Sequence, residues 1–133
     1  MPLKNPEARR AYHREYMRKR YAEDPEFKAK HAERVRKNDA KRLQQISDLI
    51  LEWKRRGCEN PACAETDPCC LVAHHVDSDR KNFTIALGKK RKLSISAIKN
   101  ELTLCICLCS NCHAKVHAGV LILDHGVVQQ EER

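Results

Sequence analysis

Apolar positions are sparse at the start of this chain and dense towards its end. In residues 6–22, PEARRAYHREYMRKRYA, the spacing predicts a helix with Tyr12 and Tyr16 four apart on one face and Arg and Lys elsewhere. EDPEF then punctuates the pattern: Asp24 suits a helix N-cap and Pro25 a first helical position. A second helix is expected from Pro25 to about Arg56. Its first half is charged and small, with little to bury. Its second half carries Leu43, Ile46, Leu49, Ile50 and Trp53 as an apolar stripe at helical spacing, which predicts packing on whatever follows. Gly57 marks the stop.

Beyond it the period changes. Residues 57–70, GCENPACAETDPCC, are rich in Pro and Cys and read as a loop. LVAHHV (71–76) and LCICL (104–108) read as short strands. The polar, basic stretch at 77–92 reads as an irregular connection. SISAIKNELT (94–103) predicts a short helix capped by Ser94, with Ile95, Ile98 and Leu102 on one face. SNCHAKVHAG (110–119) predicts another, stopped by Gly119. VLILDHGVVQQEER (120–133) reads as an apolar strand and a polar tail. The expected organisation is a helical arm (1–57), a mixed body (58–119) and this C-terminal strand and tail (120–133).

Composition changes the picture in two ways. Two Phe, three Tyr and one Trp are little aromatic mass for a core in 133 residues, so a covalent or metal staple is expected. Eight cysteines could supply it. The N-terminus MPLKNPEARR is charged and lacks the apolar segment of a secretory leader, and no run approaches a membrane span. The expected compartment is a reducing cytoplasm, where Cys mixed with His points to metal rather than disulfide. Charge is uneven as well. Residues 1–57 hold 17 Lys and Arg against 9 Asp and Glu, a net of +8, whereas residues 58–133 hold 9 of each. A basic arm beside a neutral body predicts a polyanionic partner, most simply nucleic acid, on which the first half of the second helix would become ordered.

The cysteines divide by spacing. Cys109 and Cys112 form a CxxC at the start of a helix, and Cys58 and Cys63 share a loop. Together they could close a tetrahedral structural zinc site. Cys69 and Cys70 compete for the loop half, but Cys70 would have to leave the strand that carries the histidines. Cys105 and Cys107 alternate with Leu104, Ile106 and Leu108 and read as packing. His113 and His117 are four apart on a helix and point the same way, while His74 and His75 are neighbours on a strand and should point apart. One helix could thus serve two metals, with sulfur at its start and imidazole on another face.

LVAHHVDSDRKNFTI followed by SISAIKNELTLCICLCSNCHAKVHAG resembles the HNH endonucleases, the ββα-metal nucleases, in their small zinc-stapled bacteriophage form. The resemblance covers residues 58–119. It implies an α+β fold: a small ββα-metal nuclease domain stapled by the four-cysteine zinc, preceded by basic α-helices. It implies metal-dependent hydrolysis of DNA phosphodiesters, by nicking or double-strand cleavage, leaving 5′-phosphate and 3′-hydroxyl ends. Within it His75 matches the general base. His74 and His113 match ligands of the catalytic divalent ion, with His117 a further metal or phosphate ligand. Asp77 matches an orienting residue and Lys81 a phosphate contact. Lys115, Arg14 and Arg18 are expected to meet DNA phosphates. The Asn that helps orient the base in the family falls near Leu104, which cannot hydrogen-bond, leaving Asn100, Asn111 or a carbonyl oxygen for that role.

Imidazole ligands suit Mn²⁺, Ni²⁺ or Zn²⁺, and Mg²⁺ remains an option because phosphate and water supply oxygens. Nucleases of this phage type are often encoded beside packaging proteins, which implies terminase subunits as partners and the host cytoplasm as the location. The competing expectation is a non-catalytic zinc-stapled module that binds nucleic acid, with the four histidines structural.

Overall fold

The computed structural model describes residues 4–124. The chain divides into two compact units, residues 1–41 and 42–133. Among the described residues no helix is long and apolar enough to cross a membrane.

The first unit contains α1 (Pro6–Glu23) and the start of α2 (Pro25–Lys54). The Asn5 side chain caps α1 by accepting from the Glu7 N–H, and Pro6 sits where no N–H is needed. Asp24 ends α1 and starts α2: its N–H bonds the Arg20 carbonyl, and its carboxylate accepts from the Phe27 N–H at 2.9 Å. Around this corner Tyr21 packs on Phe27 and His31, with ring centroids 5.9 and 5.5 Å apart, and the Tyr21 hydroxyl hydrogen-bonds His31 Nδ1. The Arg20 guanidinium lies 4.0 Å from the Phe27 ring centre. No residue of α1 is buried.

The second unit is a small α+β body. After the C-terminal half of α2 come β1 (Leu71–His75), α3 (Ile85–Lys90), α4 (Ile95–Leu102), β2 (Cys105–Cys109) and α5 (Ser110–His117). The two strands pair antiparallel, Leu71 opposite Cys109 and His75 opposite Cys105. Two apolar clusters fill the unit. One gathers Leu71, Leu108 and the buried Cys107, Cys109 and Cys112; the other gathers Ile46, Ile85, Ile98 and Leu102, and Trp53 packs on both. The stripe on α2 therefore joins the cysteine-bearing body. The compact body starts at Arg42 rather than at residue 58, because Ile46, Leu49, Ile50 and Trp53 bury against it.

Two expectations need correction. The 77–92 connection is not irregular throughout. The Thr84 side chain accepts from the Leu87 N–H and caps α3, whose Ile85 is buried and whose Gly88 meets Phe83 and Ile98 closely. A β-carbon on Gly88 would come within 2.6 Å of Phe83, so the close approach of α3 to α4 requires glycine there. Residues 120–124 form no strand: Val120 and Ile122 are exposed, and among the described residues only β1 and β2 pair. The rest of the expected strand and tail, from residue 125, lies outside the described residues.

Candidate metal centres

The sulfur set assembles from both ends of the second unit. Gly57 takes a left-handed φ of +73° and turns the chain off α2. The loop then closes on itself through Cys58 N–H to the Glu65 carbonyl and Cys63 N–H to the Asn60 carbonyl, both 2.9 Å. Cys109 caps α5, its sulfur accepting from the Cys112 N–H. The Sγ atoms of Cys58, Cys63, Cys109 and Cys112 all lie within 4.8 Å of one another. Zinc–sulfur bonds of about 2.3 Å in a tetrahedron require sulfurs about 3.8 Å apart, and Cys63 and Cys109 stand at 3.8 Å. The donor set thus fits a structural metal and is compatible with zinc.

Hydrogen-bond donors reach several of its sulfurs. Cys58 Sγ accepts from the Cys109 N–H, and Cys112 Sγ accepts from Asn60 Nδ2 at 3.2 Å. The Cys112 N–H, together with the neighbouring sulfurs, pulls the Cys109 thiol down to about 7 against burial. Asn60 acts the same way on Cys112, but burial and the three adjacent sulfurs outweigh it and push that thiol up to about 12. Four sulfurs this close cannot all shed their protons unaided; a bound dication would let them. Cys69 and Cys70 stand apart from this set, 3.7 Å from each other at the head of β1, and Cys105 and Cys107 are buried.

The histidines separate as strand alternation requires. His74 turns to α5 and meets His113 and His117, with ring centroids 5.2 Å away in each case; those two are 4.5 Å apart, and their Nε2 atoms are separated by 3.2 Å. One nitrogen from each of the three rings falls within 4.8 Å of the others, so these residues also could hold an ion. His74 and His113 are half-buried and His117 is exposed. Burial, with the nearby His117, holds the His113 imidazole below its usual 6.5, favouring the neutral form that binds metals. Three ligands with one side open differ from the closed sulfur set.

His75 turns away from the triad. Its Nε2 lies 2.7 Å from Glu101 Oε1 on α4. Glu101 is buried, and the same carboxylate accepts from the Asn82 N–H and the Asn82 side chain, both 2.9 Å, and from the Phe83 N–H at 3.4 Å. Burial alone would raise the Glu101 pKa, but these donors overcome it and hold the carboxyl below its ordinary 4.5.

Glu101 is the residue that sequence reasoning missed. Asn100 and Asn111 are exposed, and the Leu104 carbonyl accepts from the Val76 N–H. The signal was present in the helical period. Glu101 follows Ile98 by three and precedes Leu102, so it falls on the buried face of α4.

Searches against protein-family models, curated proteins and solved structures found no match. The remaining expected contacts are exposed. The Asp77 carboxylate accepts from the Asp79 N–H and caps a single turn. Lys81 and Lys115 reach solvent, the latter on α5. Arg14 lines a shallow concave surface with Arg9, Arg10 and His13, and Arg18 pairs with Glu15 at 2.8 Å.

Proposed function

We propose that the protein is a divalent-metal-dependent endonuclease that hydrolyses DNA phosphodiesters, with zinc at the four cysteines as a structural staple. The observation that carries this reading is the open triad of His74, His113 and His117 with a fourth imidazole, His75, on the next residue of the same strand. The likeness of HHVDSDRKN and CSNCHAKVH to the phage HNH nucleases supports it as well.

Neutral imidazoles on β1 and α5 hold the ion. A divalent ion bound there supplies neutralisation of the phosphate charge and stabilisation of the departing oxygen. His75 removes a proton from the attacking water, a task suited to imidazole near neutral pH. Lys81 and Lys115 bind phosphate oxygens, and the +8 arm neutralises the backbone further along the DNA. Such contacts give affinity without reading sequence.

Plasmid nicking by the zinc-loaded full chain with added Mg²⁺, Mn²⁺ or Ni²⁺ tests the proposal, with His75→Ala in parallel. Wild type is expected to relax supercoiled DNA and the variant to bind but not cut. Binding by both with cutting by neither, whatever the ion, would instead establish a non-catalytic zinc module.

A further inference from the structure

We infer that Glu101 is the positioning residue for His75, holding the ring as its Nε2–H tautomer and leaving Nδ1 as the proton acceptor. The role in hydrolysis rests on the endonuclease reading; the tautomer does not.

An ionised carboxylate can only accept a hydrogen bond, so the nitrogen 2.7 Å from Oε1 carries the proton. Among the described residues no other hydrogen bond reaches the His75 ring. Glu101 is itself held on several sides. Oε1 also accepts from the Asn82 and Phe83 N–H groups, and Oε2 accepts from Asn82 Nδ2. No buried side-chain nitrogen or oxygen is left without a partner among the described residues. The carboxylate is thus fixed before any substrate arrives, and the ring inherits that fixity.

In the proposed step the water proton passes to Nδ1, the water oxygen bonds to phosphorus, and the bond from phosphorus to the 3′ oxygen breaks. That oxygen then takes a proton from solvent. A ring flipped to the Nδ1–H tautomer would present a donor where an acceptor is required.

A purely structural role, tying α4 to residues 82–83, is the alternative, and nitrogen NMR separates the two. In ¹⁵N-labelled, zinc-loaded protein the His75 ring is assigned by its disappearance in His75→Ala. The expected wild-type pattern is protonated Nε2 and bare Nδ1. Glu101→Ala should yield mixed tautomers and lower kcat for Mn²⁺-supported nicking by about 10²-fold or more, within the range that general-base catalysis supplies, with KM little changed. Glu101→Gln keeps the shape and one acceptor oxygen, so it should fold, retain its zinc and lose less kcat than the alanine variant. If the alanine variant does not fold, the wild-type tautomer decides the matter. The inference is overturned if wild-type His75 is protonated at Nδ1, or if Glu101→Gln and Glu101→Ala keep both the tautomer and kcat. Should wild type not nick at all, the endonuclease reading falls, and the wild-type spectrum still upholds or overturns the tautomer.

Discussion

Helix α5 contributes to two ligand clusters that differ in every physical respect. Cys109 and Cys112 at its start join Cys58 and Cys63 in a set of four soft donors, sunk into the cluster of Leu71, Cys107 and Leu108. His113 and His117, further along, join His74 in a set of three harder donors with one ring exposed. The second apolar cluster, around Ile98 and Leu102 on α4, lies next to Glu101, which holds His75. Four ligands, two of them buried, leave a metal nothing to do but hold the loop, β2 and α5 together. Three ligands open to solvent leave positions for reactants. A register shift of one residue in β1 would exchange His74 and His75 and abolish the second arrangement while leaving the sulfurs in place.

The largest expected effect separates the two clusters directly. Cys112→Ser should lose the zinc and with it the fold of the second unit, because structural zinc contributes on the order of 10 kcal/mol. His113→Ala should keep one tightly held zinc and its cooperative melt. Metal analysis and thermal unfolding of both variants check this.

Gly88→Ala comes next. Its new methyl meets Phe83 at 2.6 Å and Ile98 at 2.7 Å, and overpacking of this kind costs about 1–3 kcal/mol. The lower Tm should be accompanied by weakened nicking, since α3 packs on the helix that carries Glu101, and zinc content should stay unchanged. Equal damage to both clusters would show that they are not separable.

Acid gives a smaller and more selective probe. The folded pKa of Glu101 lies below 4.5, so its contribution to stability is complete above about that pH and is lost as pH falls through the folded value. The Tm difference between wild type and Glu101→Gln should therefore shrink as pH falls below 4.5. Melts of the pair across that range measure it.

The smallest effects belong to the arm. Removing Arg14, which has no carboxylate partner at ion-pair distance among the described residues, should reduce the salt slope of DNA binding by about 1. Arg18→Ala should reduce it by less, because Arg18 already pairs with Glu15. Zinc content and nicking at saturating DNA should not change.

Much of this was legible from spacing. CxxC at a helix start and His four apart on one face are local patterns, so the sequence locates both half-sites on α5. The separation of His74 from His75 follows from strand alternation alone. The helix α3 escaped because Lys89, Lys90 and Arg91 mask a short apolar pattern at Phe83, Ile85 and Leu87, whose start signal is Thr84. Glu101 escaped for a different reason. A glutamate in a helix is ordinarily a surface residue, which outweighed its place on the apolar face of α4, and its role as an acceptor comes from its neighbours in space, Asn82 and His75. The choice of Cys58 and Cys63 over Cys69 and Cys70 was legible from the strand that begins beside Cys70, and the structure fixes it by long-range contact of the loop with β2 and α5.

Cobalt titration of the metal-free full chain tests the central claim most directly, because cobalt bound to thiolate shows intense charge-transfer absorption and cobalt bound to imidazole does not. Two binding events are predicted. The first carries the sulfur absorption and is lost, together with the second, in Cys112→Ser; the second lacks it and is the one event lost in His113→Ala. A single event with sulfur absorption, unaffected by His113→Ala and followed by no further uptake, would contradict the account.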